Sequence, residues 1–271
     1  MSRLPITYLF VPGNGPERFE KAIASGADAI IVDLEDGVAP GDKDRARAHL
    51  RDWIGGREGI AERVLVRIND ATTPWFDTDL ALLREGRILV AMLPKAETTA
   101  SIDAVRAALP PAGRVIPIIE TARGVRDVDA LAAAGGVARL AFGTLDYCAD
   151  LGLSGDDRGL IHASSRIAEA SRCAGIDSPI AGVTPAIDDD ARLRADLDFA
   201  RAFGCGAKLC IHPRQVAVIH HALKPSPEEL DWARRVLAAA ASGQGAVQLD
   251  GRMVDRPVVL RAQSIVDRAS T

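Results

Sequence analysis

Apolar runs recur along the chain at near-regular intervals, eight in all: TYLFVP, DAIIVDLED, RVLVRIN, RILVAMLPK, RVIPIIE, VARLAFG, SPIAGVTP and GAKLCIHP. Most are continuously hydrophobic rather than alternating, which is the pattern of strands covered on both faces. Between them lie segments with apolar residues at helical spacing: PERFEKAIASG, DKDRARAHLRDWI, PWFDTDLALLREG, TTASIDAVRAAL, RGVRDVDALAAAG, GLIHASSRIAEASRCAG and DARLRADLDFARAFG. Gly26, Gly86, Gly135, Gly175 and Gly204 stand where these helices should end, supplying the left-handed residue that helix termination often uses. Strand and helix alternating over roughly 215 residues predict an α/β fold, and eight repeats favour a closed (β/α)8 TIM barrel over an open doubly wound sheet.

The barrel is expected to occupy residues 1–223. Beyond it come a helix beginning near Pro227, the turn SGQGA, an extended piece VQLDGRMVD and a last helix begun by Pro257. This 224–271 extension is surplus to an eightfold barrel. Such an element can cap the barrel or pack on a neighbouring subunit.

The 271 residues are 48% hydrophobic, enough for a sizeable core, and the net charge is only −4. Acids and bases are intermixed, so no basic arm or stripe points to nucleic acid. Cys148, Cys173, Cys205 and Cys210 form no CxxC pair and have no histidines at zinc spacing, which argues against disulfides and zinc alike. The N-terminus lacks a charged leader followed by a long apolar core, and no run approaches the roughly 20 apolar residues of a membrane helix. The expectation is a cytoplasmic protein with small-molecule partners.

In a parallel barrel the C-terminal strand ends open onto one face, where catalytic groups collect. The second run presents Asp33, Glu35 and Asp36 there, the third Arg67, the fourth Lys95 and the eighth His212. RVIPIIE stops at Glu120 and VARLAFGTLD at Asp146, so each is read as a strand with a carboxylate at its far end. Five carboxylates on one rim demand compensation: at about 5 Å and an effective dielectric near 20, each like-charged pair costs roughly 3 kcal/mol. Arg67 supplies one positive charge and a divalent cation would supply two. All-oxygen ligands suit Mg²⁺, with Mn²⁺ as its substitute, better than zinc. The expectation is that Glu120 and Asp146 hold the ion and that a 2-oxo acid binds to it.

Plainer readings stand beside this one. Asp33, Glu35 and Asp36 also suit loop acids paired with the bases of DGVAPGDKDRAR, Glu120 suits a helix N-terminal acid, and Asp146 suits a turn cap. PGNGP, residues 12–16, lacks phosphate-loop spacing and reads as a strand-to-helix turn. Lys95 and Lys208 can each be drawn as Schiff-base amines, although a phosphate contact or a solvated position suits Lys95 better and a rim ion pair suits Lys208. His212 reads as a structural histidine, and His220 and His221 as surface residues of a helix.

Taken in order, FVPGNGPERFEKA, DAIIVDLEDGV, VRIN, MLPKAE, IIETARGV, FGTLD, KLCIHPRQ and DGRMVDRPVV resemble the citrate lyase beta subunit and its CoA-ester lyase relatives in the HpcH/HpaI aldolase superfamily. The match runs through nearly the whole chain. The resemblance implies a (β/α)8 barrel assembled as homotrimers or hexamers, with Mg²⁺ on Glu120 of ETARG and Asp146 of the next motif. It implies that Arg67 of VRIN serves the substrate, and that Asp255 of the terminal motif reaches a neighbouring subunit's site and handles the proton of a thioester enolate. The implied activity is cleavage or formation of a 3-hydroxyacyl-CoA thioester of malyl, citramalyl or citryl type, with acetyl-CoA and a 2-oxo acid such as oxaloacetate as the other side of the reaction. In that scheme Arg67, Asp255, Glu35 and Asp36 act in catalysis, while Arg67, Glu120, Gly143, Thr144 and Lys95 meet the substrate. Three other readings remain: a class II pyruvate aldolase acting on free 4-hydroxy-2-oxo acids, a Schiff-base aldolase, and a non-catalytic protein that binds an oxo acid or CoA ester.

Overall fold

The apolar runs become strands buried on both faces. They are β1 (Thr7–Pro12), β2 (Ala29–Asp33), β3 (Val64–Arg67), β4 (Val90–Leu93), β5 (Arg114–Ile119), β6 (Arg139–Phe142), β7 (Asp177–Ala181) and β8 (Ala207–Cys210). The computed structural model describes residues 5–57, 59–60, 62–155, 157–241 and 247–269. Neighbouring strands pair in parallel in chain order, and β8 returns to β1 with Thr7 opposite Lys208 and Leu9 opposite Cys210, closing the barrel. Successive side chains on a strand point to opposite faces. Ile31, Leu65, Met92, Ile118, Ile180 and Leu209 accordingly pack together as one core cluster. Ile30, Val32 and Val66, on the other face of their strands, are equally sealed from solvent. This is why the runs show no alternation.

The helices are α1 (Glu17–Ala24), α2 (Lys43–Gly55), α3 (Phe76–Leu83), α4 (Thr99–Ala108), α5 (Ala122–Arg126), α6 (Val128–Ala132), α7 (Thr144–Leu151), α8 (Ile161–Ala174), α9 (Asp190–Ala202), α10 (Pro213–Leu223), α11 (Pro227–Ala241) and α12 (Arg256–Ala269). At two places they differ from the sequence expectation. RGVRDVDALAAAG is interrupted at Asp127, which ends α5 and begins α6. VARLAFGTLD is not a strand throughout: β6 ends at Phe142, Gly143 caps the next helix, and Asp146 lies in the first turn of α7. The left-handed glycine after α6 is Gly136 and not Gly135, whereas Gly26, Gly86, Gly175 and Gly204 do take positive φ.

The chain divides into two compact units, the first spanning Pro5–Ile219 and the second containing His220–Thr271, so the division falls inside α10. In the second unit Ala233 and Val236 of α11 share a small core with Ala262 and Ile265 of α12 and with Val254. Val254 belongs to an antiparallel hairpin of β9 (Val247–Leu249) and β10 (Arg252–Val254). Among the described residues no helix is long and apolar enough to cross a membrane.

Candidate active site

Register brings the first pair of functional groups together. Asp33 ends β2 and Arg67 ends β3, and the two residues are direct partners across the ladder. Arg67 donates from Nε and Nη2 to the two carboxylate oxygens of Asp33, each at 2.7 Å, a fork-to-fork pairing that fixes the guanidinium plane. The same carboxylate accepts the backbone N–H groups of Glu35 at 2.9 Å and Gly37 at 2.8 Å, so the loop after β2 is wound around Asp33. The guanidinium also lies over the Phe10 ring, 4.8 Å from its centroid. Burial disfavours the charged form of Arg67, but Asp33, Glu35 and Asp36 outweigh it and raise its pKa above the ordinary arginine value. Arg67 is a permanent, oriented cation.

Glu35 joins this cation to another. Its Oε2 is 2.9 Å from Arg67 Nη1, close enough for an ion pair although not aligned as a hydrogen bond, and its Oε1 accepts from Lys95 Nζ at 2.7 Å. Burial nonetheless raises the Glu35 pKa against the pull of Arg67 and Lys95. For Lys95 burial works against the ammonium, but the Glu35 hydrogen bond and the charges of Glu35, Glu120 and Asp36 prevail and raise its pKa. Lys95 adopts a left-handed backbone at φ 46°, a conformation that costs roughly 1–2 kcal/mol for a residue with a Cβ. In it the backbone N–H of Lys95 donates to Glu120 Oε1 at 2.7 Å.

Glu120 directly follows β5 and is only 3% exposed. Its other oxygen, Oε2, is admitted by the absence of a side chain at Gly143: a Cβ there would land on it. Gly182 has the same function for Thr144, the first residue of α7, since a Cβ at 182 would stand 2.5 Å from Thr144 Oγ1 and 2.8 Å from the Phe142 carbonyl oxygen. The two glycines let the β6–α7 junction lie close against its neighbours. Burial, with the negative charges of Glu35 and Asp146, pushes the Glu120 pKa up to about 8, against the lowering effect of the Lys95 N–H. Asp146, half-buried in the first turn of α7, is thus near enough to be felt by Glu120 and sits at the positive end of a helix.

The expectation that five rim carboxylates share one Arg and one metal is corrected by these contacts. Arg67 and Lys95 engage Asp33 and Glu35, and Lys43, invisible as a site residue in the sequence, adds a third cation behind them. Among the described residues, Asp36, Glu120 and Asp146 have no side-chain ion pair; Asp36 is exposed to solvent, whereas Glu120 is buried and Asp146 half-buried. An oxygen-only donor pair with excess negative charge and an oxygen cradled against a glycine fits Mg²⁺ or Mn²⁺. Among the described residues no group of three or more His, Cys, Asp or Glu side chains converges as a metal site. A site of two carboxylates leaves the remaining positions to substrate and water, as Mg²⁺ prefers.

Other expected residues fall variously. Asp36 is exposed and reaches Arg67 and Lys95 through its charge. His212 accepts the Arg214 backbone N–H through Nδ1 at 3.2 Å, a local structural bond. The PGNGP turn is held by Gly13 N–H to the Asp33 carbonyl at 2.9 Å. Lys208 does not form a rim ion pair: it is 2% exposed and donates to the Gly182 carbonyl oxygen, because its position within β8 turns it into the protein. Burial lowers its pKa to about 8 but also denies it a substrate, while Lys95 is held as an ammonium, so neither lysine is presented as a Schiff-base amine. Asp255, in the second unit, is exposed between β10 and α12 and accepts the Val258 N–H at 3.2 Å as a helix cap.

The profile of the HpcH/HpaI aldolase/citrate lyase family matches residues 7–213. The chain is 39% identical over 269 residues to the citrate lyase subunit beta-like protein of Mycobacterium tuberculosis strain ATCC 25618 / H37Rv, covering 97% of this chain and 94% of that one. It is 34% identical over 297 residues to the L-malyl-CoA/beta-methylmalyl-CoA lyase of Cereibacter sphaeroides strain ATCC 17029, covering 96% and 93%. A crystal structure of protein CitE from Mycobacterium tuberculosis, in complex with magnesium, acetoacetate and coenzyme A, superposes with a TM-score of 0.88 at 38% identity over 98% of both chains. The barrel and the full-length similarity agree, and the chain belongs to the HpcH/HpaI aldolase/citrate lyase family, a family of lyases.

Proposed function

We propose that this chain cleaves, reversibly and with Mg²⁺, a 3-hydroxyacyl-CoA thioester of malyl, citramalyl or citryl type into acetyl-CoA and a 2-oxo acid. The observation that supports this reading is the division of charge at the barrel mouth: a locked Arg67 at the end of β3 and, among the described residues, a carboxylate pair, Glu120 and Asp146, that has no side-chain ion pair. The malyl-CoA lyase relative and the CoA- and magnesium-bound CitE structure support it. A CoA-ester substrate suits a cytoplasmic enzyme.

Glu120 and Asp146 would hold the metal, which when bound supplies Lewis-acid polarisation of the substrate oxygen and neutralises the adjacent carboxylate. In cleavage the hydroxyl proton would leave to water, the O–H electron pair would form the new carbonyl, and the electrons of the broken carbon–carbon bond would pass to the thioester as an enolate. Arg67 faces the oxygen on which negative charge grows, a donor contribution worth roughly 3 kcal/mol. Asp33 keeps the guanidinium in plane, and Glu35 ties it to Lys95, so the donors are oriented before substrate arrives. Asp255 of a second copy, in a trimer or hexamer, would deliver the proton to the enolate carbon. Gly143 and Thr144 would meet the oxo-acid carboxylate at the start of α7, and Asp36 would tune the field from the loop.

Incubation with Mg²⁺ and a panel of 3-hydroxyacyl-CoA esters, with the matching free acids and free 4-hydroxy-2-oxo acids alongside, tests this directly. Oxo-acid release from the thioesters alone is expected. Equal release from free 4-hydroxy-2-oxo acids would establish the CoA-independent aldolase instead. Saturable binding without turnover across the panel would make the chain a binding protein.

A further inference from the structure

Behind the barrel mouth lies a buried polar cluster that the reaction scheme leaves unused. Lys43, the first residue of α2, is 5% exposed, and its ammonium donates to three oxygens: the carbonyls of Leu34 at 2.7 Å and Glu35 at 2.8 Å, and Asn69 Oδ1 at 2.7 Å. These are all the donors an ammonium has. The charge also lies 5.0 Å from the centroid of the Trp75 ring. Asn69 is 1% exposed, and both its backbone N–H and its Nδ2 donate to Asp79 Oδ2 at 2.7 Å. Asp79, on α3, is fully buried and has Arg47 of α2 3.4 Å away.

The loop after β2 is therefore gripped from two sides. On the barrel side the Asp33 carboxylate takes its N–H groups, those of Glu35 and Gly37. On the helix side Lys43 takes its carbonyls, those of Leu34 and Glu35. Between the two grips the Glu35 side chain has one direction left, toward Arg67 and Lys95. Burying an ammonium is expensive unless it is fully bonded, and an apolar side chain would fill the space without that cost. The cluster is satisfied at Lys43 and aimed at the backbone of one functional loop.

We propose that Lys43 is a positioning residue for the lyase reaction: held by Asn69 and Asp79, it clamps the 34–35 backbone so that Glu35 sets Arg67 and Lys95 in their working geometry. The assignment rests on the lyase reading for its kinetic consequence but not for its structural one. Lys43→Met keeps the stem and removes the ammonium. Its kcat should fall about 100-fold, the scale of an ångström-sized misplacement, while Mn²⁺ affinity should fall much less, since Lys43 bonds neither Glu120 nor Asp146 and reaches Glu120 only through Glu35 and Lys95. Lys43→Arg should recover part of the loss. Independently of turnover, amide exchange at Glu35 and Gly37 should speed up about tenfold in Lys43→Met. Asn69→Ser, which leaves Lys43 in place, should show the same two effects at smaller size and covers the case in which Lys43→Met does not fold. Unchanged exchange at Glu35 and Gly37, wild-type kcat, or a loss of Mn²⁺ affinity as large as the loss of kcat would overturn the proposal. Absence of turnover in the wild type with faster exchange in the variant would refute the lyase reading and keep the clamp.

Discussion

Lys95 serves two carboxylates in different ways: its backbone N–H meets Glu120 Oε1 at 2.7 Å, while its ammonium bonds Glu35 Oε1 at 2.7 Å. A lysine on the rim could have neutralised either carboxylate. With its left-handed backbone it gives one the direct ion pair and the other its backbone N–H, with the ammonium acting on Glu120 as the smallest of the influences on its pKa. Glu120, beside Asp146, is thereby left without a paired cation, and burial, with the charges of Glu35 and Asp146, holds its pKa near 8.

Cation binding at Glu120 must displace a proton near neutrality. Calorimetric titration of Mg²⁺ at pH 7, in buffers of different ionisation enthalpy, should report release approaching one proton per chain. Affinity should climb with pH and level off above about 8. The same shift sets the stability of the metal-free protein. The folded pKa is raised above the ordinary 4.5, so a stabilising contribution present at low pH is lost as pH rises toward 8. Glu120→Gln should therefore raise Tm of the metal-free chain at pH 9 more than at pH 5.

Gly143→Ala places a methyl group on Glu120 Oε2. Mg²⁺ affinity should weaken by about 10–100-fold, the usual consequence of disturbing the surroundings of a metal ligand. The metal-free fold should lose about 1–3 kcal/mol from overpacking. Thermal unfolding with and without Mg²⁺ separates the two effects, because only the first removes the metal-induced rise in Tm.

Arg67→Lys keeps the charge and loses the fork. A point charge cannot hold both oxygens of Asp33 and also face Glu35. Steady-state kinetics should show kcat/KM falling by about 10²–10³, with an unchanged far-ultraviolet dichroism spectrum. A wild-type rate would remove Arg67 from the chemistry.

Much of this was legible in the sequence, for identifiable reasons. Doubly covered strands are continuous apolar runs, so RVIPIIE marked both β5 and the carboxylate just past its end. The helix carrying Asp146 was not legible: a single glycine separates β6 from α7, and LAFGTLD offers no break in hydrophobicity before the helix starts. The Asp33–Arg67 fork depends on register between strands far apart in sequence, which no local pattern encodes. Lys43 looked like one more charge in GDKDRAR, and only the packing of α2 shows that it faces inward. Lys208 misled in the opposite direction, since a charge in an apolar run suggests a strand end and this one lies inside β8.

Whether two chains build one site is decided by mixing. Asp255→Asn and Glu120→Gln should each be inactive alone. If Asp255 serves a second copy's barrel, co-assembled mixtures should regain a fraction of wild-type turnover, because some sites then combine two intact residues. Mixtures that stay inactive after subunit exchange would assign the proton donor to another residue.

The central claim is that Glu120 and Asp146 together hold one divalent cation to which an oxo acid binds. Electron paramagnetic resonance of Mn²⁺ titrated into the protein tests it without reference to turnover. The account predicts one bound ion per chain, a changed spectrum on adding pyruvate or oxaloacetate, and loss of the bound signal in Glu120→Gln and in Asp146→Asn. Mn²⁺ bound equally well by both variants, or a spectrum indifferent to the oxo acids, would contradict it.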